Sequence, residues 1–167
     1  KKATRSDITL MGMSGYTIIT NTDGWMFMPF QGQTKPEPMT ADDVKSAQNQ
    51  LDFHDEFLNY KEDGKVLEDL GKEDVDGTEC FKLKLTNKNG ESNTYYIDPA
   101  DYMILKMTNK STADGQEHES STSFSNYKKM DEGVIIAMNI SAEYGDLETV
   151  KVELNPTIDE AIFKVAQ

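Results

Sequence analysis

The chain is short of the residues that usually carry catalysis or covalent cross-links. Of its 167 residues one is cysteine, Cys80, so no internal disulfide can form. Cys80 sits beside Phe81 at a strand start and reads as a small buried hydrophobe. Two residues are histidine, His54 and His118, with no His-Glu-x-x-His pattern, and one cysteine with two distant histidines is a poor zinc set. Positive charge is scarce as well: 17 basic against 30 acidic residues leave a net charge of −13. Phosphate contacts need clustered Lys and Arg, which excludes nucleic acid as a partner. Anionic bilayers would repel this surface too, although solubility alone is sufficient reason for the charge. No apolar run approaches the roughly 18 residues that a membrane-spanning helix needs. Lys1 opens directly into strand-like sequence, and no targeting signal supplies a cellular address.

Reaction chemistry is equally thin. His54-Asp55-Glu56 places polar groups in succession, but neighbours on a helix point about 100° apart and do not converge. Gly12-Met13-Ser14-Gly15 lacks the spacing of a nucleophile elbow, and no glycine loop of the phosphate-cradling type is present. Glu73-Asp74-Val75-Asp76 does not follow the EF-hand order and reads as a solvated turn. The expectation is a protein that is not an enzyme and that has no cofactor and no metal.

What the sequence does contain is alternation. Phe81, Leu83 and Leu85 alternate with Lys82, Lys84 and Thr86; Val134, Ile136, Met138 and Ile140 oppose Ala137, Asn139 and Ser141; Val150, Val152 and Leu154 alternate with Lys151 and Glu153. Period two is the signature of a strand with one dry and one wet face. Strands are expected over 2–13, 16–21, 25–30, 66–72, 80–86, 94–97, 103–109, 120–129, 134–144 and 149–154. Ser14-Gly15, Asp23-Gly24, Asp76-Gly77, Asn89-Gly90, Asp114-Gly115, Glu132-Gly133 and Gly145-Asp146 mark turns between them. The segment 31–39, with Gly32, Pro36 and Pro38, reads as a loop. One helix is expected over 40–60: Thr40 is a good N-cap and Asp42 and Asp43 lie in the first turn. Val44, Ala47, Leu51 and Leu58 recur at helical spacing, joined by Phe53 and Phe57, with a break open between Asp52 and Asp55. The fold class is therefore mainly β with a small helical part. A strongly curved antiparallel sheet, an open or half barrel, would wrap its apolar face, with the helix covering the concave side. With 167 residues the simplest organisation is one domain over 1–167.

Several phrases carry a family resemblance. Thr94-Tyr95-Tyr96-Ile97-Asp98-Pro99-Ala100-Asp101-Tyr102-Met103-Ile104-Leu105-Lys106 is a tyrosine-rich strand, an Asp-Pro turn and an aliphatic strand ending in lysine. It resembles the middle of the outer-membrane lipoprotein-sorting (LolA/LolB-like) proteins. Asp23-Gly24-Trp25-Met26-Phe27-Met28-Pro29-Phe30 looks like that family's Asp-Gly turn into an aromatic strand. The stretch from Leu70 through Asp76-Gly77 to Phe81 and the ending Leu154-Asn155-Pro156-Thr157-Ile158 are similar to later family segments, in the expected order. The family opens with a helix and a first strand that have no counterpart here, so residues before Lys1 are expected to supply them.

The resemblance implies non-enzymatic binding of a lipid or lipoprotein acyl chain in an apolar groove. It implies a periplasmic setting, with a membrane tether ahead of Lys1 left open, and a membrane-bound donor or acceptor protein as partner. The candidate groove residues are Trp25, Phe27, Leu51, Phe57, Leu83, Tyr96, Met103, Ile136, Met138 and Val152. Arg5, the single arginine, takes the family's lid-holding role. Nine methionines suit walls that adapt to chains of variable shape, and ordinary core packing accounts for them equally well. The competing reading is an envelope protein-interaction or sensing module that reuses the fold without carrying lipid.

Overall fold

The computed structural model describes residues 2–51, 56–88, 90–113, 116–143 and 145–165, without the side chains of 49, 50, 111–113 and 116–118. It divides into two compact units, Lys1–Asp55 with Pro156–Gln167 and Glu56–Asn155.

The first unit is built on a four-stranded antiparallel sheet in the order β1 (Ala3–Leu10), β2 (Met13–Thr20), β3 (Gly24–Phe27), β4 (Glu37–Pro38). The first hairpin turns at Met11-Gly12, because Leu10 pairs with Met13, and both turn residues have positive φ (52° and 77°). This backbone matches the right-handed twist of the flanking strands. The turn expected at Ser14-Gly15 is therefore not there; both residues lie inside β2. Gly15 serves a close approach instead: a Cβ on it would lie 2.5 Å from the Phe27 carbonyl oxygen. The strand expected over 25–30 stops at Phe27, where Pro29 enters a short 3-10 turn, Pro29–Gln31. Proline cannot donate to a ladder, and its fixed φ suits the first helical position.

The helix α1 runs from Ala41 to Ala47 and tightens into a 3-10 turn, Gln48–Leu51. Thr40 caps it by accepting from the Asp43 N–H (3.2 Å) while its hydroxyl donates to Asp43 Oδ2 (2.6 Å). The expected helix over 40–60 is thus shorter. Its apolar positions Ala47 and Leu51 are used against Ile19, and Gln48 Nε2 ties its end to the Asn21 carbonyl at 2.7 Å. Phe53, His54 and the break expected near Asp52–Asp55 lie outside the described residues, and residues 56–64 form turns.

The second unit is a seven-stranded antiparallel meander in the order β11-β10-β9-β8-β7-β6-β5. Its strands are β5 (Val66–Val75), β6 (Thr78–Thr86), β7 (Ser92–Ile97), β8 (Ile104–Ala113), β9 (Gln116–Lys129), β10 (Ile135–Ala142) and β11 (Gly145–Glu148). Asp76-Gly77 is the expected two-residue turn, with φ of 51° and 87° between the paired Val75 and Thr78. The expected turns at Asn89-Gly90 and Asp114-Gly115 include residues outside the described set. β5 carries a register shift between Asp69 and Lys72, where Gly71 takes φ 84°. No strand forms over 149–154. After β11 only the Thr149 N–H still reaches the β10 side, at the Met138 carbonyl (2.7 Å), and Val150 is 90% exposed. The alternation in 149–154 was strand-like, but a strand exists only where a neighbouring edge accepts it. The mainly β, antiparallel class with a small helical part is the observed one, and neither sheet closes into a barrel.

Candidate functional site

Residues directly opposite one another in an antiparallel ladder share a face, so the registers sort the candidate residues. In the first unit Ile19 pairs with Gly24, and Thr17 pairs with Met26, which pairs in turn with Glu37. The helix α1 covers this face: Ile19, Ala47 and Leu51 form a buried cluster with Met39 against it. Gly24 is required here, since a Cβ on it would meet Met39 Sδ at 2.7 Å and Val44 Cγ2 at 2.9 Å. Around the edge strand, where α1 begins, a cleft of about 600 Å³ is lined by Met26, Glu37, Pro38, Met39, Thr40, Asp43, Ser46 and Ala47. That volume lies within the range of small-molecule sites, but the cleft is a shallow one, open to solvent along much of its extent.

Its floor and walls are apolar and its rim is acidic. Both carboxylates are held in place: Gln33 Nε2 donates to Glu37 Oε2 (3.0 Å), and the Thr40 hydroxyl holds Asp43 Oδ2. Gln33 is itself fixed, its Oε1 accepting from the Met28 N–H at 2.6 Å. Among the described residues neither carboxylate has a cationic partner, and no Lys or Arg lines the cleft.

Trp25 and Phe27 do not share this face with Leu51. Trp25 pairs with Ile18 and Phe27 with Tyr16, which places them on the opposite side of the sheet, with Arg5 and Asp7. The sequence grouping of Trp25 and Phe27 with Leu51 thus separates, because Leu51 packs on Ile19 and adjacent residues of a strand point to opposite faces. Phe27 packs on Tyr16 with ring centroids 5.8 Å apart. Arg5 lies over the Tyr16 ring (4.6 Å), donates through Nε and Nη2 to the Asp7 carboxylate, and donates through Nη1 to the Ile162 carbonyl at 2.7 Å. The element it fastens is the terminal 3-10 turn Glu160–Phe163, and among the described residues none of its hydrogen bonds goes to α1. The contact holds the Asp7 carboxyl below the ordinary aspartate range, chiefly through the guanidinium hydrogen bond.

In the second unit Leu83 pairs with Tyr95 and Tyr95 with Met107, so the three share one face. Phe57 stands edge-on to Tyr95, centroids 4.8 Å apart, which brings two candidate residues, Phe57 and Leu83, together around a residue that the candidate set omitted. Continuing the registers through Thr122 and Ala142 puts Phe124, Ile140, Met138 and Ile136 on the same face. This face is not uniformly apolar. Asn109 Nδ2 donates to Asn93 Oδ1 (2.7 Å), Asn93 Nδ2 to Tyr95 Oη (3.2 Å), and the Tyr95 hydroxyl to Glu56 Oε2 (2.7 Å). No spacing in the sequence marks that chain, because its members come from three separated segments.

Tyr96 points the other way from Leu83, onto a face where Lys82 and Lys106 each lie 5.5 Å from its ring centroid. Lys82 bonds Glu73 at 2.6 Å, and this bond lowers the Glu73 carboxyl below its ordinary range. Cys80 is fully enclosed, and burial pushes its thiol up, as expected of a packing residue. Met103 sits half-buried in the turn before β8, where its carbonyl accepts from the Asp98 N–H, and Val152 is half-buried beyond β11 outside any strand. Among the described residues there is no group of metal-ligating side chains, and no helix is long and apolar enough to cross a membrane. The His118 side chain is outside what is described.

No family model and no curated relative matches the sequence. Among solved structures the chain is similar to a domain assigned to outer membrane lipoprotein sorting from Vibrio parahaemolyticus, with a TM-score of 0.53 and 16% identity, covering 95% of this chain and 79% of that one. It is also similar to a DUF1329 family protein from Desulfovibrio piger, with a TM-score of 0.51 and 14% identity, covering 97% and 80%. A LolA superfamily protein from Nitrosomonas europaea follows at a TM-score of 0.48 and 14% identity, covering 83% and 64%. At such identities the likeness is one of fold. The LolA-like fold that the sequence phrases implied is the fold of this chain.

Proposed function

We propose that this protein binds an acyl chain of a lipid or lipoprotein without making or breaking covalent bonds, as a carrier-like protein of the periplasm of a diderm bacterium. The observation that carries this reading is the cleft beside α1, with Met26, Met39, Pro38 and Ala47 as its apolar lining. Methionine walls adapt to a flexible chain, and each methylene removed from water contributes about 0.8 kcal/mol. Burying six to eight methylenes therefore contributes about 5–6 kcal/mol before ordering costs, enough for reversible holding and weak enough for release. A carrier of this kind hands its cargo between membrane-bound donor and acceptor proteins. The LolA-like fold supports the reading. Native mass spectrometry of the purified protein should show co-purified lipid. Titration with an acyl peptide should give saturable binding that Ser46→Trp, at an exposed residue of the cleft lining, removes. Lipid-free protein together with no binding in titration would overturn it.

A second reading has its own observation. The β1–β2 hairpin ends in an exposed apolar tip, with Leu10 49%, Met11 87% and Met13 40% exposed. An interaction module would use such a tip, and Leu10→Ser with Met11→Ser would then abolish partner binding while leaving acyl binding intact.

A further inference from the structure

We infer that β1 is a docking edge for a second copy of this chain, the two β1 strands pairing antiparallel about a two-fold axis at Ser6. β1 is an outermost strand of its sheet, and all eight of its residues pair with β2 without a register shift. The other three outermost strands are poor templates. β4 is two residues long and contains Pro38, β11 is four residues long, and β5 carries the register shift beside Gly71. β1 has no proline, no lysine and no bulge, and Ser6, Asp7, Ile8, Thr9 and Leu10 are all exposed.

The registers show which backbone groups face outward. A two-residue turn is closed by a hydrogen-bonded pair, so Leu10 and Met13 exchange bonds across Met11-Gly12. Alternation then turns Thr4, Ser6, Ile8 and Leu10 toward β2 and leaves the N–H and C=O of Ala3, Arg5, Asp7 and Thr9 on the free edge. The next turn agrees: the Thr20 N–H donates to the Asp23 carbonyl at 2.8 Å, so Thr20 faces β3 and Ile19 faces Thr4. Among the described residues no hydrogen bond from another element reaches the backbone of those four outward residues. The terminal turn bonds the Arg5 guanidinium instead, which leans inward over Tyr16 of β2.

Charge then selects the register. With Ser6 opposite Ser6 of the second copy, Arg5 lies opposite Asp7, Asp7 opposite Arg5, Ala3 opposite Thr9 and Thr9 opposite Ala3. Each of these pairs exchanges two backbone hydrogen bonds, and the Arg5 and Asp7 charges of the two copies alternate in sign around a square. The neighbouring registers that keep outward groups opposite one another place Arg5 against Arg5 or Asp7 against Asp7, and like charges directly opposite are destabilising. The sequence Arg5-Ser6-Asp7 is therefore self-complementary about its own centre, which favours a second copy over an unrelated strand.

The test combines sedimentation with disulfide trapping. The native chain should show a reversible monomer–dimer equilibrium with a Kd of about 10–100 μM, as suits a small, solvated contact. Asp7→Lys places like charges opposite one another twice and should weaken association about tenfold. Thr9→Pro removes an N–H from the free edge without touching one that bonds β2, and should abolish association. Ser6 falls at a non-hydrogen-bonded pair, where opposed Cα atoms approach to about 4.5 Å, within disulfide reach. Mild oxidation should therefore cross-link Ser6→Cys about tenfold faster than Thr4→Cys or Ile8→Cys, which face each other's positions rather than their own. Cys80 is fully enclosed and does not compete. A chain that stays monomeric to about 1 mM would overturn the inference. So would equal cross-linking of the three cysteine variants, or a dimer that a folded Thr9→Pro leaves intact. Should Thr9→Pro fail to fold, the cysteine variants decide alone, since none of them removes a backbone donor. Another strand of the same protein lying on this edge would give the monomeric result and overturn the inference likewise.

Discussion

In the smaller unit the strand β2 buries both of its faces, Ile18 fully enclosed on one side and Ile19 2% exposed on the other, whereas in the larger unit no residue of β5 is buried. The strands of the smaller unit are short and have a capped helix laid against them. In the larger unit the hairpin β5–β6 is longer, and it is laced by Lys72–Glu79 (2.7 Å), Lys82–Glu73 (2.6 Å) and Lys84–Glu68 (3.4 Å). Side-chain packing holds β2 in place, as it holds Cys80, Leu85, Tyr95 and Tyr96 of β6 and β7 in the larger unit. The edge strand β5 depends on its backbone ladder, with cross-strand ion pairs that fix register more than they add stability. The cleft lies in the smaller unit, beside the capped helix.

That contrast predicts where substitutions hurt. Ile18→Ala, which empties a fully enclosed site, should cost about 2–5 kcal/mol in urea-induced unfolding. A cost below 1 kcal/mol would mean that β2 is not the packed centre described here. Gly24→Ala forces Met39 and Val44 aside and should cost about 1–3 kcal/mol by overpacking. It should also weaken binding in the cleft, of which Met39 is a wall, and unchanged affinity would separate the cleft from the helix packing. Arg5→Ala releases the terminal turn and should cost about 1 kcal/mol, with faster proteolysis near Ile162 as the local signature.

The acid response should be smaller. Asp7 and Glu73 both have folded pKa values below their ordinary ranges, held down first by hydrogen bonds from Arg5 and Lys82. Their unfolded forms bind protons at higher pH than the folded ones. The stability they contribute is therefore complete above the ordinary carboxylate range and is lost as pH falls through the lower, folded values. Both side chains are well exposed (62% and 48%), so the effect is about a few tenths of a kcal/mol. Asp7→Asn with Glu73→Gln should flatten the acid limb of a stability–pH curve by that amount. Least of all, Lys84→Ala in the exposed β5–β6 ladder should change stability by under about 0.5 kcal/mol. A loss comparable to that of Ile18→Ala would break the comparison between β2 and β5.

Local patterns fixed which segments are strands. Alternation at Phe81, Leu83 and Leu85 and at Ile136, Met138 and Ile140 appears as β6 and β10, and Asp76-Gly77 turns the chain where its backbone preference says it should. Thr40 starts the helix because its hydroxyl meets an orphan N–H within one turn. These features depend on neighbours in sequence, and so they can be read from it. Pairing and coverage cannot. The residues 149–154 alternate like a strand and are not one; Met11-Gly12 displaced Ser14-Gly15 as the turn because β2 needed Gly15 against Phe27; the helix ends where Leu51 has met Ile19. Trp25 and Leu51 look alike as apolar residues, but only the register places one with Arg5 and the other with Met26. The acidic rim of the cleft is the sharpest case. Glu37 comes from an edge strand and Asp43 from a helix, and their carboxylates become one feature only when the chain folds both against Met26 and Met39. Apolar periodicity states that a face will be buried, while the partner that buries it depends on contacts between segments far apart in the chain.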